Sequence, residues 1–162
     1  MDVALMAGLG KAGGVLALAC SAVGSGFGVR AAGAAAVGAW KRCYQLDKVG
    51  PFILVTFIGA PLSQTIYGMI LMNNIVDRCT QATGQSAEAF ALAVSNWPAM
   101  VCAGLFGGAA IGVSAWGQGV IGASAADAMS ETGKGFGNYL MALGVIETIA
   151  LFVMVFVSRA LV

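Results

Sequence analysis

YLMALGVIETIALFVMVFV, Tyr139 to Val157, is an apolar run with a single charge at its centre, Glu147. It is long enough to cross a bilayer, which takes about 20 apolar residues in one helix. A carboxylate at the middle of such a helix costs about 2.5–3.5 kcal/mol on insertion scales. A chain keeps that charge only where it has a partner and a purpose, and the rest of the sequence must supply both.

Composition places the chain in the membrane. Of its 162 residues, 59% are hydrophobic and only 9% charged, with a mean hydropathy of +0.89. A soluble domain carries about 25% charged residues. A net charge of +1 without a basic tract argues against a nucleic-acid partner. The 24 glycines fall inside the apolar runs, which suits closely packed membrane helices better than flexible linkers. Cys20, Cys43, Cys79 and Cys102 lack metal or redox spacing and read as small polarizable packing residues. The absence of histidine removes the commonest metal ligand and general base. No catalytic site within the chain itself is expected.

Four spans follow: Ala12 to Ala39, Pro51 to Met72, Trp97 to Ala126 and Phe136 to Val157. Between them lie a basic turn (Lys41, Arg42, Asp47, Lys48), a polar loop from Asn73 to Glu88, and a short turn from Ser130 to Gly135. Leu18-Ala19-Cys20 faintly resembles a lipoprotein cleavage site, but Lys11 is the only early cation and the glycine pattern continues past Cys20. Cleavage there is not expected. The two short turns carry Lys41, Arg42, Lys48 and Lys134, whereas the middle loop sets Arg78 against Asp77 and Glu88. The positive-inside rule puts the turns in the cytoplasm and both termini outside.

The chain reads as a duplication. Sliding it by 89 residues pairs Leu16 with Leu105, Ser25 with Ser114, Phe27 with Trp116, Gly28 with Gly117 and Gly33 with Gly122. A slide of 83 matches Gln64-Thr65-Ile66 with Glu147-Thr148-Ile149. The expected fold is all-α: two tandem helical hairpins in parallel, residues 1–80 and 90–162. Gln64 takes the carboxylate's place in the first. Spans one and three carry small-residue stripes (Gly10, Gly14, Gly24, Gly28; Gly104, Gly108, Gly112, Gly119). They could simply pair two helices in one bundle, but they also suit an inner ring of many copies crowded round an axis. The bulkier spans two and four would then face lipid.

Gln118 and Glu147 stand 29 residues apart, symmetric about a turn near Thr132-Gly133, which predicts equal depth. Gln64 lies at a similar depth, 13 residues past Pro51. Pro61 cannot donate to the carbonyl of Phe57, so span two should bend there and free carbonyls for coordination. Ser63, Gln64 and Tyr67 follow, the last two near one face. The set is all oxygen around one carboxylate, with no sulfur or imidazole. Hard oxygen ligands with a single negative charge suit a monovalent cation. Sodium uses all of them; a proton would need only the carboxyl and one or two hydrogen-bond partners. Interhelical hydrogen-bonding alone would not explain why they converge on a charge.

The duplicated glycine-rich hairpin, the Pro-x-Ser-Gln-x-x-Tyr stretch at Pro61 to Tyr67, Gln118-Gly119 and the lone Glu147 together resemble the membrane rotor subunit (c or K subunit, proteolipid) of V-type and A-type rotary ATPases, sodium-binding type. The resemblance covers nearly the whole chain. It implies a homo-oligomeric ring in a bacterial or archaeal cell membrane, with Na+, or alternatively H+, as the ion carried. It assigns ligands to Ser63, Gln64, Gln118 and Glu147, with the Ala60 carbonyl completing the shell and Tyr67 hydrogen-bonding the carboxylate. Ser63 stands where threonine is familiar, and Ala60 where a larger aliphatic is common. Implied partners are identical subunits, a stator membrane subunit supplying an arginine, a central stalk at the cytoplasmic turns, and lipid. Arg30, which the slide aligns with Gly119, is not expected to be that arginine. Two rivals remain: a small multidrug-type cation/proton antiporter, which is shorter and not duplicated, and a non-transporting assembly protein.

Overall fold

The computed structural model describes residues 1–81 and 83–161. Ala82, within the expected polar loop, and Val162, the end of the expected second hairpin, lie outside them. Four helices are long and apolar enough to cross a membrane: Val3–Gln45, Leu54–Arg78, Trp97–Thr132 and Phe136–Ala160. They are called spans one to four below. The chain is an all-α integral membrane protein.

Each expected span is present and each is longer than expected. Span one starts at Val3 because the Asp2 carboxylate accepts a hydrogen bond from the Ala4 amide and the apolar residues that follow propagate the helix. It runs past Ala39 to Gln45, since Trp40 to Tyr44 offer no glycine or proline to stop it. It ends where Asp47 takes a left-handed backbone (φ 52°). At 1.5 Å per residue this 43-residue helix is about 64 Å long, twice the roughly 30 Å hydrocarbon core, so its ends project from the bilayer.

The polar loop is also shorter than expected. Span two continues through Arg78, and Ser86 caps a short helix, Ala87–Ser95, that the sequence reading missed. Its Val94 is fully buried. The turn between spans three and four narrows to Gly133–Gly135, with span three continuing through Thr132. Gly133 (φ 64°) and Gly135 (φ 87°) adopt the left-handed backbone that glycine reaches without penalty.

Spans one and three form the most intimate pair and run parallel. The glycine stripes explain it. A methyl added at Gly24 would strike the backbone of Gly112, and one at Gly119 the backbone of Gly28. At Gly108 it would come within 2.7 Å of the Ala17 carbonyl, and at Gly104 it would strike that of Gly13. The stripes are thus used inside one chain; this is the simpler of the two expected roles. Positions equated by the 89-residue slide meet across the pair: the rings of Phe27 and Trp116 are 6.4 Å apart, and Arg42 forms an ion pair with Glu131. Both ends of that pair are exposed, so it contributes little, about 0–1 kcal/mol.

Span three carries a π-helical turn, Ala103–Gly107, that no sequence signal announced. Span four lies on the outside, with Val145, Ile149, Phe152 and Phe156 exposed. Span two likewise exposes Leu62, Ile66, Met69 and Ile70. Spans one and three expose Val23, Phe27, Val113 and Trp116 to a similar degree. All four cysteines are free thiols. Cys79 packs against Met100, sulfur to sulfur at 3.3 Å; burial pushes its thiol up, against the opposing pull of Lys11.

Candidate ion-binding site

Pro61 does to span two what its missing amide requires. Helix Leu54–Gly59 gives way to one tight 3-10 turn, Ala60–Leu62, before the helix resumes at Ser63. The Ser63 Oγ lies 3.1 Å from the Ala60 carbonyl, three residues back. Gln64 then points into the bundle and is fully buried. Tyr67, one turn on, leans toward span four.

Glu147 is eleven residues after the first and thirteen before the last residue of span four, at mid-membrane. Spans two and three converge on it. The Tyr67 hydroxyl donates to Glu147 Oε1 at 2.6 Å. Gln118 Nε2, from span three, lies 3.5 Å from Glu147 Oε2 and donates to the Leu143 carbonyl at 3.1 Å. Gln64 Nε2 donates to Gln118 Oε1 at 2.8 Å. The Ser63 hydroxyl lies 3.2 Å from Gln64 Oε1, and its single proton must choose between that oxygen and Ala60. Equal depth, inferred from spacing alone, is realised as contact.

All six expected residues belong to this one chain of hydrogen bonds: Ala60, Ser63, Gln64, Gln118, Glu147 and Tyr67. Among the described residues no buried side-chain polar atom lacks a partner. Nor do any three of His, Cys, Asp or Glu gather as they would to hold a metal. The constellation therefore offers one negative charge and several neutral oxygens. Its electrostatics suit one positive charge, and it stands at the edge of the bundle with Glu147 half-buried.

The sequence reading missed two supports. The Leu143 carbonyl, one turn before Glu147, holds the Gln118 amide. Ser114 donates to the Ile146 carbonyl at 2.8 Å, tying span three to span four beside the carboxylate. Ser114 was visible as the duplicate of Ser25, whose Oγ accepts from Thr65 at 2.9 Å in the first hairpin. The carbonyl acceptors leave no mark in a sequence.

The duplicate positions have diverged in setting as well as in charge. Gln64 is fully enclosed, whereas Glu147 reaches the outer face. A carboxylate at the buried position would have to lose its hydration to protein on all sides; an amide there needs only hydrogen bonds, and finds them.

Residues 101–157 match the ATP synthase C-subunit family. No curated protein matches the chain. The family match covers most of spans three and four, and so includes Gln118 and Glu147. Ser63, Gln64 and Tyr67 lie outside the matched residues and join the site by packing of the first hairpin against the second.

Proposed function

We propose that the protein is the rotor ring subunit of a V-type rotary ATPase, built from repeat units 1–80 and 90–162, that carries Na+ on Glu147. The observation that carries this reading is the convergence of Tyr67, Gln118 and, through Gln118, Gln64 on a lone carboxylate at mid-membrane. The family match over spans three and four supports a rotor over an antiporter or an assembly protein. Two hairpins with one carboxylate between them support the V-type.

In this reading the cation takes the Glu147 carboxylate, the amide oxygens of Gln64 and Gln118, the Ser63 hydroxyl and the Ala60 carbonyl. Amide rotation turns oxygens that now accept hydrogen bonds toward the ion. Loaded, Glu147 is neutralised and can face lipid. Empty, it is a bare charge that cannot cross the hydrocarbon and must pair with a cation on the stator. A full transit across 100 mV is worth about 2.3 kcal/mol per charge, which is the quantity that rotation exchanges with ATP. The cytoplasmic turns, Leu46 to Ile53 and Gly133 to Gly135, would meet the central stalk.

One observation favours protons as the ion. Gln118 Oε1 already accepts from Gln64, and Gln64 Oε1 has the Ser63 hydroxyl within reach, so the amide oxygens have partners without an ion. Equilibrium binding of radioactive sodium to the purified protein, with particle images of the same sample, separates the readings. The sodium reading requires one saturable site per chain in ring-shaped particles. Rings without sodium binding at any pH would leave protons, and dimers would overturn the rotor.

Tyr67→Phe tests the geometry. A hydrogen bond to a charged group is worth about 1.5–3 kcal/mol, so sodium affinity is expected to fall roughly 10- to 100-fold, read in the same assay. Unchanged affinity would remove Tyr67 from the site.

A further inference from the structure

A groove of about 650 Å³ opens between spans two and four, at the end of the bundle away from the two short turns. It shares no residue with the ion site. Its apolar wall is Ile70, Met154 and Val155, and its polar wall includes Asp77, Arg78 and Arg159. Asn74 Nδ2 donates to Ser158 Oγ at 2.9 Å and ties the two helices together within it.

Depth gives the groove its meaning. Arg78 stands eleven residues beyond Tyr67, and Arg159 twelve beyond Glu147. At 1.5 Å per residue both lie roughly 17 Å from the plane of the carboxylate. The hydrocarbon half-thickness is about 15 Å, so both guanidiniums sit where lipid phosphates lie, with the apolar wall beneath them among the acyl chains. Arginines in the last turn complement the carbonyl end of a helix, and each helix has one such residue. That does not account for two guanidiniums lining one groove without an ion pair among the described residues. Among the described residues neither forms an ion pair, and Asp77, in the same groove, bridges neither. At the opposite end of the bundle, Arg42 has its carboxylate in Glu131.

We propose that this groove binds an anionic phospholipid, its phosphate held between Arg78 and Arg159 and an acyl chain lying along Ile70, Met154 and Val155. Planar guanidinium groups are matched to phosphate oxygens, and the net charge of the lining is positive. Asp77 accepts from a headgroup hydroxyl, so phosphatidylglycerol is the natural probe. The proposal needs the four spans to be in a membrane but does not depend on rotation or on the ion carried.

Native mass spectrometry of the delipidated full-length protein tests it, with phosphatidylglycerol or phosphatidylcholine added back. Phosphatidylglycerol is expected to bind in preference, and R78Q/R159Q to lower its affinity roughly 30-fold, from about a factor of five per arginine. Millimolar inorganic phosphate should not displace it. A photoreactive phosphatidylglycerol should crosslink the wild-type protein within 70–78 and 154–159, a readout that needs no variant to fold. Equal retention by R78Q/R159Q, or crosslinks elsewhere, would overturn the proposal. Displacement by inorganic phosphate would make this a site for the free anion. A changed number of copies with unchanged lipid retention would make it a contact between copies.

Discussion

Glu147→Gln is expected to lose sodium binding while leaving the protein folded. The substitution keeps the side chain's length and removes its charge. A cation left among neutral oxygens has lost its counter-charge, and breaking a buried pair of charges costs about 3–5 kcal/mol; affinity should therefore fall by more than about 100-fold. Stability moves the other way. The charge costs about 2.5–3.5 kcal/mol at mid-membrane, and the amide can keep a hydrogen bond from Tyr67 and remain near Gln118, which now touch the carboxylate. Sodium binding and thermal unfolding of the purified variant, measured side by side, should separate: no binding, with a midpoint at or above that of the wild type. A variant that unfolds would make Glu147 a packing element instead.

Gly24→Val is expected to have the largest effect on the fold. A side chain at this position meets the backbone of Gly112 rather than a movable side-chain end. Spans one and three would have to separate along the interface that also brings Gly28 against Gly119 and Ala17 against Gly108. Overpacking commonly costs about 1–3 kcal/mol where side chains can shift; with backbone on the far side the loss should exceed that and yield little folded protein. Gly26→Ala is the control, since a methyl there meets nothing within 4 Å. Comparable yields of the two variants would show that the glycine contacts do not hold the bundle together.

Much of this was legible in the residues for identifiable reasons. Span lengths follow from hydropathy, and the depth of Gln118 and Glu147 follows from helical rise and a shared turn. The interruption of span two by a 3-10 turn at Pro61 follows from a missing amide. What was not legible has reasons too. Helix ends ran past their expected limits because hydropathy marks the membrane boundary, not the last hydrogen-bonded residue, and Trp40 to Tyr44 or Asn73 to Arg78 stay helical beyond it. The π-helical turn at Ala103–Gly107, within which Gly104 packs against Gly13, carries no glycine or proline pattern that sets it apart from the rest of the stripe. The partner of the glycine stripes was ambiguous, because close approach within one chain and between copies demands the same small residues.

The site itself was readable as a list of oxygens but not as a direction of donors. Sequence cannot show that Gln64 gives its amide to Gln118, or that Gln118 gives its own to Leu143 and Glu147. Those orientations decide how many oxygens a cation finds free.

Carbodiimide labelling of the purified protein at fixed pH, with the modified residue located by peptide mass spectrometry, tests the central claim most directly. The carboxyl of Glu147 should be modified in the absence of sodium and protected as sodium is added, because the ion and the reagent compete for the same oxygens. Modification of Glu147 that sodium does not slow, or no modification of Glu147 at all, would contradict a sodium-carrying carboxylate at this position.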